Sequence, residues 1–176
     1  PKLEELCAAM EKLVDVQLPA PQKAESVREL QTQWRAMKAP SSKNAQVLWD
    51  RFKKASDIAW EPCAIHFEKE KQLRSFNVQQ RNVICEALEQ FASLQDWEKA
   101  DWKAVARILE KAKKEFHDFF PVERHDEKPS RQRFDAAMDA IQQKLLAEQL
   151  MNEEKKRQLV ETALSLDTMT DIDKAI

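Results

Sequence analysis

Two stretches of the chain set the same four residue types at the same spacing. RFKKASD (residues 51–57) and RFDAAMD (residues 133–139) share Arg51/Arg133, Phe52/Phe134, Ala55/Ala137 and Asp57/Asp139. An arginine and an aspartate held together could act as an acid–base pair. Six residues on a helix turn through about 600°, however, which leaves the two side chains about 240° apart and on no common face. The pattern points instead to separate polar contacts with neighbouring helices, around a place where the phenylalanine and alanine pack.

The other reactive residues are sparser. Cys63 and His66 are three apart on one helical stripe and could begin a metal site, but HExxH, ExxH and CxxC patterns are all absent. HDFFPVERHDE gathers two histidines and several acids in what reads as a polar, solvating loop. Ser41 and Ser42 fall in a turn that uses them as caps, while Cys7 and Cys85 hold equivalent small apolar positions; a reactive thiol needs an electropositive, exposed setting. The expectation is no catalytic residue, no metal, no cofactor and no enzyme activity.

Glycine and tyrosine are both absent. Without glycine the chain cannot write a phosphate-cradling GxxxxGK[ST] loop, a dinucleotide-binding GxGxxG or a GxSxG elbow, which removes three large enzyme classes. The same absence, with Ala, Leu, Glu, Lys, Gln and Arg abundant, favours helix over strand and short connections over hairpins. Three cysteines at unrelated positions make a disulfide framework a poor reading and favour a reducing cytoplasm. No run approaches about 18 consecutive apolar residues, so no membrane span is expected. The chain opens on Pro1 and stops at DIDKAI in mid-pattern, as expected of a segment from a longer chain.

Apolar periodicity places the elements that carry these residues. Helices are expected over about residues 2–15, 23–38 and 42–75, the last kinked at Pro62. The series restarts with helices at about 77–95, 98–117 and 130–150, and another begins at Asn152. Superposing Leu6-Cys7 on Ile84-Cys85 gives an offset of 78, and Ile84 on Leu159 gives 75. The fold expected is all-α, elongated, with tandem three-helix units and long antiparallel helices. The first unit is 1–75, the second, degenerate unit is 76–151, and 152–176 opens a third. Between Phe52 and Phe134 the offset is 82, ascribed to PVERHDEKPS being longer than APSSKN.

QWRAMKAPSSKNAQVLWDRFKKASDIAWEPCAIHFEKEKQLR resembles the bacterial family known as domain of unknown function 349. The likeness rests on Trp34, Pro40, Leu48, Trp49, Arg51, Phe52, Ala55, Asp57, His66 and Phe67. In the second copy Phe134, Ala137 and Asp139 remain, while Ala112 is placed opposite Trp34 and no histidine replaces His66. Lys38 stands where the family's turn often carries glycine, and Trp60 where it favours phenylalanine. The resemblance implies tandem helical repeats in a bacterial cytoplasmic protein and implies no activity.

Two binding readings follow. Arg35, Lys38, Lys43, Arg51, Lys53 and Lys54 surround the first long turn and could neutralise phosphates of RNA or DNA. Yet 29 basic against 31 acidic residues leave a net charge of −2, and mixed charge is what solvated helix faces carry. The five tryptophans favour a protein partner. Trp34, Trp49 and Trp60 lie on apolar stripes, so packing is their first role; Trp97 and Trp102, flanking a helix start, are the expected exposed anchors. The leading reading is a non-enzymatic interaction or scaffold module with a protein partner, and the alternative is nucleic-acid association through residues 35–54. Oligomeric state is not read from the sequence.

Overall fold

A computed structural model describes residues 1–38 and 42–174, with side chains described to residue 168. Among the described residues there are five α-helices and no strand: α1 (Lys2–Asp15), α2 (Ala20–Ala36), α3 (Lys43–Leu94), α4 (Trp102–Asp118) and α5 (Arg124–Lys174). The all-α expectation holds. Pro40 and Ser41 of the first long turn lie outside the described residues. The chain divides into two compact units, Pro1–Leu73 and Arg74–Ile176.

In the first unit the stripe Leu6, Cys7 and Met10 of α1 meets Val27 and Trp34 of α2 and Phe52, Ala55 and Ala59 of α3. QLPAPQ separates α1 from α2 as expected: Val16 is extended, and Pro21 sits in the first turn of α2, where its missing N–H costs nothing. Buried Lys23 donates from Nζ to the Val14 carbonyl at 3.2 Å, satisfying one of the free carbonyls at the end of α1. After α2 the backbone turns through Lys38 at φ 42°, a left-handed position that favours glycine, which this chain lacks. Ser42 caps α3, its Oγ accepting from the Ala45 N–H at 3.2 Å.

The second unit packs Cys85 and Leu88 of α3 with Val105, Leu109, Ala112 and Phe116 of α4 and Phe134, Ala137, Met138 and Ile141 of α5. Asp101 caps α4 by accepting from the Lys103 and Ala104 N–H groups at 3.0 and 3.2 Å. The segment entering α5 is tied to α3 by polar contacts. Arg74 bonds Glu123 at 2.8 Å, Asn77 donates to the Pro121 carbonyl at 2.7 Å, and fully buried Arg81 donates to Glu127 at 2.8 Å. The Arg81 guanidinium also lies over the Phe116 ring, 4.4 Å from its centroid.

Several expected boundaries are corrected. The helices expected at 42–75 and 77–95 are one helix, α3, and Pro62 sits inside it without ending it. The sequence RSFN at 74–77 carries no glycine or proline, so nothing there stops propagation. For the same reason α5 runs through the expected break near Asn152. Most of PVERHDEKPS is not loop, because α5 starts at Arg124.

The four-residue growth in offset also lies elsewhere. α2 and α4 are both 17 residues long and align end to end at an offset of 82, matching Val27 with Leu109, Leu30 with Ala112 and Trp34 with Phe116. Cys7 with Cys85 and Glu11 with Glu89 keep 78. The extra residues therefore fall between the first and second helices of the second unit, around the 3-10 turn Trp97–Lys99. Phe116, rather than Ala112, takes the place of Trp34.

Candidate functional site

The Phe of the shared stretch is the base of an aromatic stack in each unit. Trp34 stacks on Phe52 with centroids 4.4 Å apart and planes at 23°, and Phe116 stacks on Phe134 at 4.1 Å and 19°. The arginine before each Phe closes a two-toothed ion pair. Arg51 bonds both Glu11 oxygens at 2.6 Å, and Arg133 bonds both Glu89 oxygens at 2.8 Å. These bonds hold the carboxyls of Glu11 and Glu89 below the usual carboxylate range and push both arginines up. The aspartates behave differently: Asp57 and Asp139 are exposed, and neither has a polar partner among the described residues. The arginines make the expected contacts to neighbouring helices, and the aspartates do not.

In the first unit the stack reaches the surface. Trp49 lies 6.2 Å from Phe52 and 5.7 Å from Trp34, centroid to centroid, and remains 40% exposed. It borders a groove between α2 and α3 lined by Gln31, Arg35, Trp49, Lys53, Ser56 and Asp57. Gln31 Nε2 donates to Ser56 Oγ at 2.9 Å across it. Arg35 and Lys53 stand on the rim without a hydrogen-bond or ion-pair partner among the described residues. The cavity is about 250 Å³, below the ~300–1,000 Å³ of ordinary small-molecule sites, so it suits one inserted side chain or base.

The basic residues expected to form a patch are divided by helix geometry. Lys53 and Lys54 point about 100° apart on α3. Lys53 joins Arg35 and Trp49, whereas Arg51 and Lys54 line a second groove against α1 with Glu11, Asp15 and Asp50. Lys38 and Lys43, at the end of one helix and the start of the next, are both exposed.

Farther along α3, Trp60 is half-buried beneath the Arg28 guanidinium, 5.2 Å from its ring centroid, and faces Phe67 at 6.2 Å. His66 lies edge-on to Phe67 at 5.5 Å, with Nε2 3.4 Å from Glu70 Oε1. Cys63 is buried, and among the described residues no three His, Cys, Asp or Glu side chains are grouped to hold a metal ion. Trp97 and Trp102 are half-buried and stack on each other at 5.6 Å and 27°. Trp97 also donates from Nε1 to the Ala92 carbonyl at 3.3 Å. They fasten the longer connection of the second unit, and Trp49 is more exposed than either. Among the described residues no helix is long and apolar enough to cross a membrane.

Sequence reading did not place Gln31 and Ser56 in the groove, and it set Lys53 among the other cations rather than beside Trp49. The usable signal was the four-residue step from Trp49 to Lys53, which puts both on one face of α3.

Fold and groove together define an all-helical protein with an aromatic-walled surface cleft. Residues 47–125 match the family described as Domain of Unknown Function (DUF349). The match takes in Trp49, Arg51, Phe52, Asp57, His66 and Phe67. No curated protein and no solved structure matches the chain.

Proposed function

We propose that the protein is a non-enzymatic interaction module of the bacterial cytoplasm, whose α2–α3 groove takes an acidic protein segment carrying one apolar or aromatic side chain. The observation that carries this reading is Trp49, held rigidly by Trp34 and Phe52 yet 40% exposed, between the cations Arg35 and Lys53, which have no partner among the described residues. A pre-ordered aromatic loses little entropy on binding, and two flanking cations select an acidic partner. The cytoplasmic setting is supported by three free cysteines, and the bacterial one by the family resemblance.

Affinity capture from the source cytoplasm, with and without nuclease, tests the proposal when wild type is compared with Trp49→Ala and with Arg35→Glu/Lys53→Glu. Proteins that survive nuclease on wild type and are lost from both variants are expected. Retention that vanishes with nuclease, and weakens steeply with salt, assigns the groove to nucleic acid instead.

A further inference from the structure

Beyond the α2–α3 groove, the distal part of α5 carries an exposed stripe that no other element covers among the described residues. Leu146, Leu150, Glu153, Arg157, Val160 and Leu164 follow one another at steps of four, three, four, three and four, the heptad seam of a coiled coil. All six are exposed, the four apolar ones by 56–62%. This seam is separate from the core face of α5, which Phe134 and Ile141 occupy in the second unit and which Leu159 continues about five turns beyond Ile141.

The seam is self-complementary about Lys155. Laid antiparallel on a second copy, Leu146 meets the partner's Leu164, Leu150 meets the partner's Val160, and Glu153 meets the partner's Arg157, each contact occurring twice. A parallel pair in register sets Glu153 on Glu153 and Arg157 on Arg157, and so is opposed by like charge. Glu153 has no partner among the described residues, while Arg157 bonds Glu154 on its own helix and keeps a second face of its guanidinium for another carboxylate. We propose that the distal half of α5 is a homodimer interface, an antiparallel two-helix coiled coil with two Glu153–Arg157 ion pairs at its centre and Leu/Val layers on either side.

The seam covers fewer than three heptads, and Lys156 comes near its own copy across the twofold. Both features predict a weak, concentration-dependent dimer rather than a permanent one.

Sedimentation equilibrium of the full chain over a wide concentration range tests this. Mass is expected to rise from monomer towards twice that value. Glu153→Arg alone sets arginine against arginine, and Arg157→Glu alone sets glutamate against glutamate. Each is expected to weaken self-association at least ~10-fold. The double swap Glu153→Arg/Arg157→Glu restores it. Mixing the two single variants is the sharper arm, because one copy then offers two arginines and the other two glutamates, and the mixture is expected to dimerise more tightly than either alone. All substitutions are at exposed positions, so helical circular dichroism should not change. A chain that stays monomeric up to about 1 mM overturns the proposal. So does a dimer indifferent to the single reversals, or one that the double swap fails to restore.

Discussion

At the scale of single residues, the repeated Arg-Phe-x-x-Ala pattern is a packing device with a polar clasp. Phe52 and Phe134 are 1% and 6% exposed, each stacked under a second-helix aromatic. Truncating either to alanine should cost about 3–5 kcal/mol, measured by urea denaturation. A loss well below about 1 kcal/mol would mean that the stack relaxes around the gap and that the phenylalanine is not the anchor of its unit. The clasp arginines are more exposed, and their value lies in geometry. Glu11→Arg should weaken the first unit, and adding Arg51→Glu should recover much of the loss by rebuilding the pair in reverse. Cys7 and Cys85, fully buried beside these clasps, have thiols pushed above their ordinary value chiefly by burial. In the folded protein at neutral pH they should react slowly with a thiol reagent, at a rate that follows local opening. Full reaction within the mixing time, with the helical signal intact, would contradict their burial.

At the scale of elements, helix identity was legible and helix ends were less so. α1 was placed within a residue because Pro19 and Pro21 punctuate the chain after it, and Ser42 marked the start of α3 through its hydroxyl cap. The false breaks near residues 75 and 152 arose because the restart of the repeated apolar series was equated with the start of a new helix. A helix continues until backbone chemistry stops it, and RSFN contains no such chemistry. The mismatch of Ala112 with Trp34 has a related origin. Leu30 and Ala112 occupy one register and Trp34 and Phe116 the next, yet only the inserted turn at Trp97–Lys99 reveals the four-residue shift. The groove was the least legible feature, since Gln31, Arg35, Trp49, Lys53 and Ser56 come together only when α2 lies on α3. Pro62 supplies an element-scale test. It is exposed within α3 and contributes no N–H to the helix, so Pro62→Ala should raise stability, by up to about 3 kcal/mol from the backbone alone. A destabilised Pro62→Ala protein would show that the proline ring makes a stabilising contact that outweighs the lost helix hydrogen bond.

At the scale of the whole molecule, the two units solve one packing problem with different polar chemistry. The first unit places Leu3, Ala45 and Leu48 at the register where the second has Arg81, Glu127 and Ser130. The second unit thus relies more on carboxylates, and acid should reveal it. Glu127 is held below the usual carboxylate range by Arg131 first and Arg81 next, and Glu11 and Glu89 by Arg51 and Arg133. For each group the folded value lies below the unfolded one, so its contribution is complete above the unfolded carboxylate value of about 4.3 and is lost as pH falls through the folded value. Urea midpoints should therefore stay level from about pH 7 to 5 and decline below about 4.3. Glu127→Gln, combined with Glu89→Gln, should flatten that decline more than Glu11→Gln does. Solvent reaches all three carboxylates, which are exposed or half-exposed, so the effect should be modest and should shrink in high salt. If the first-unit variant flattens the curve more than the second-unit pair, the Arg81–Glu127 cluster is not the acid-sensitive element, and the asymmetry between the units must be sought elsewhere.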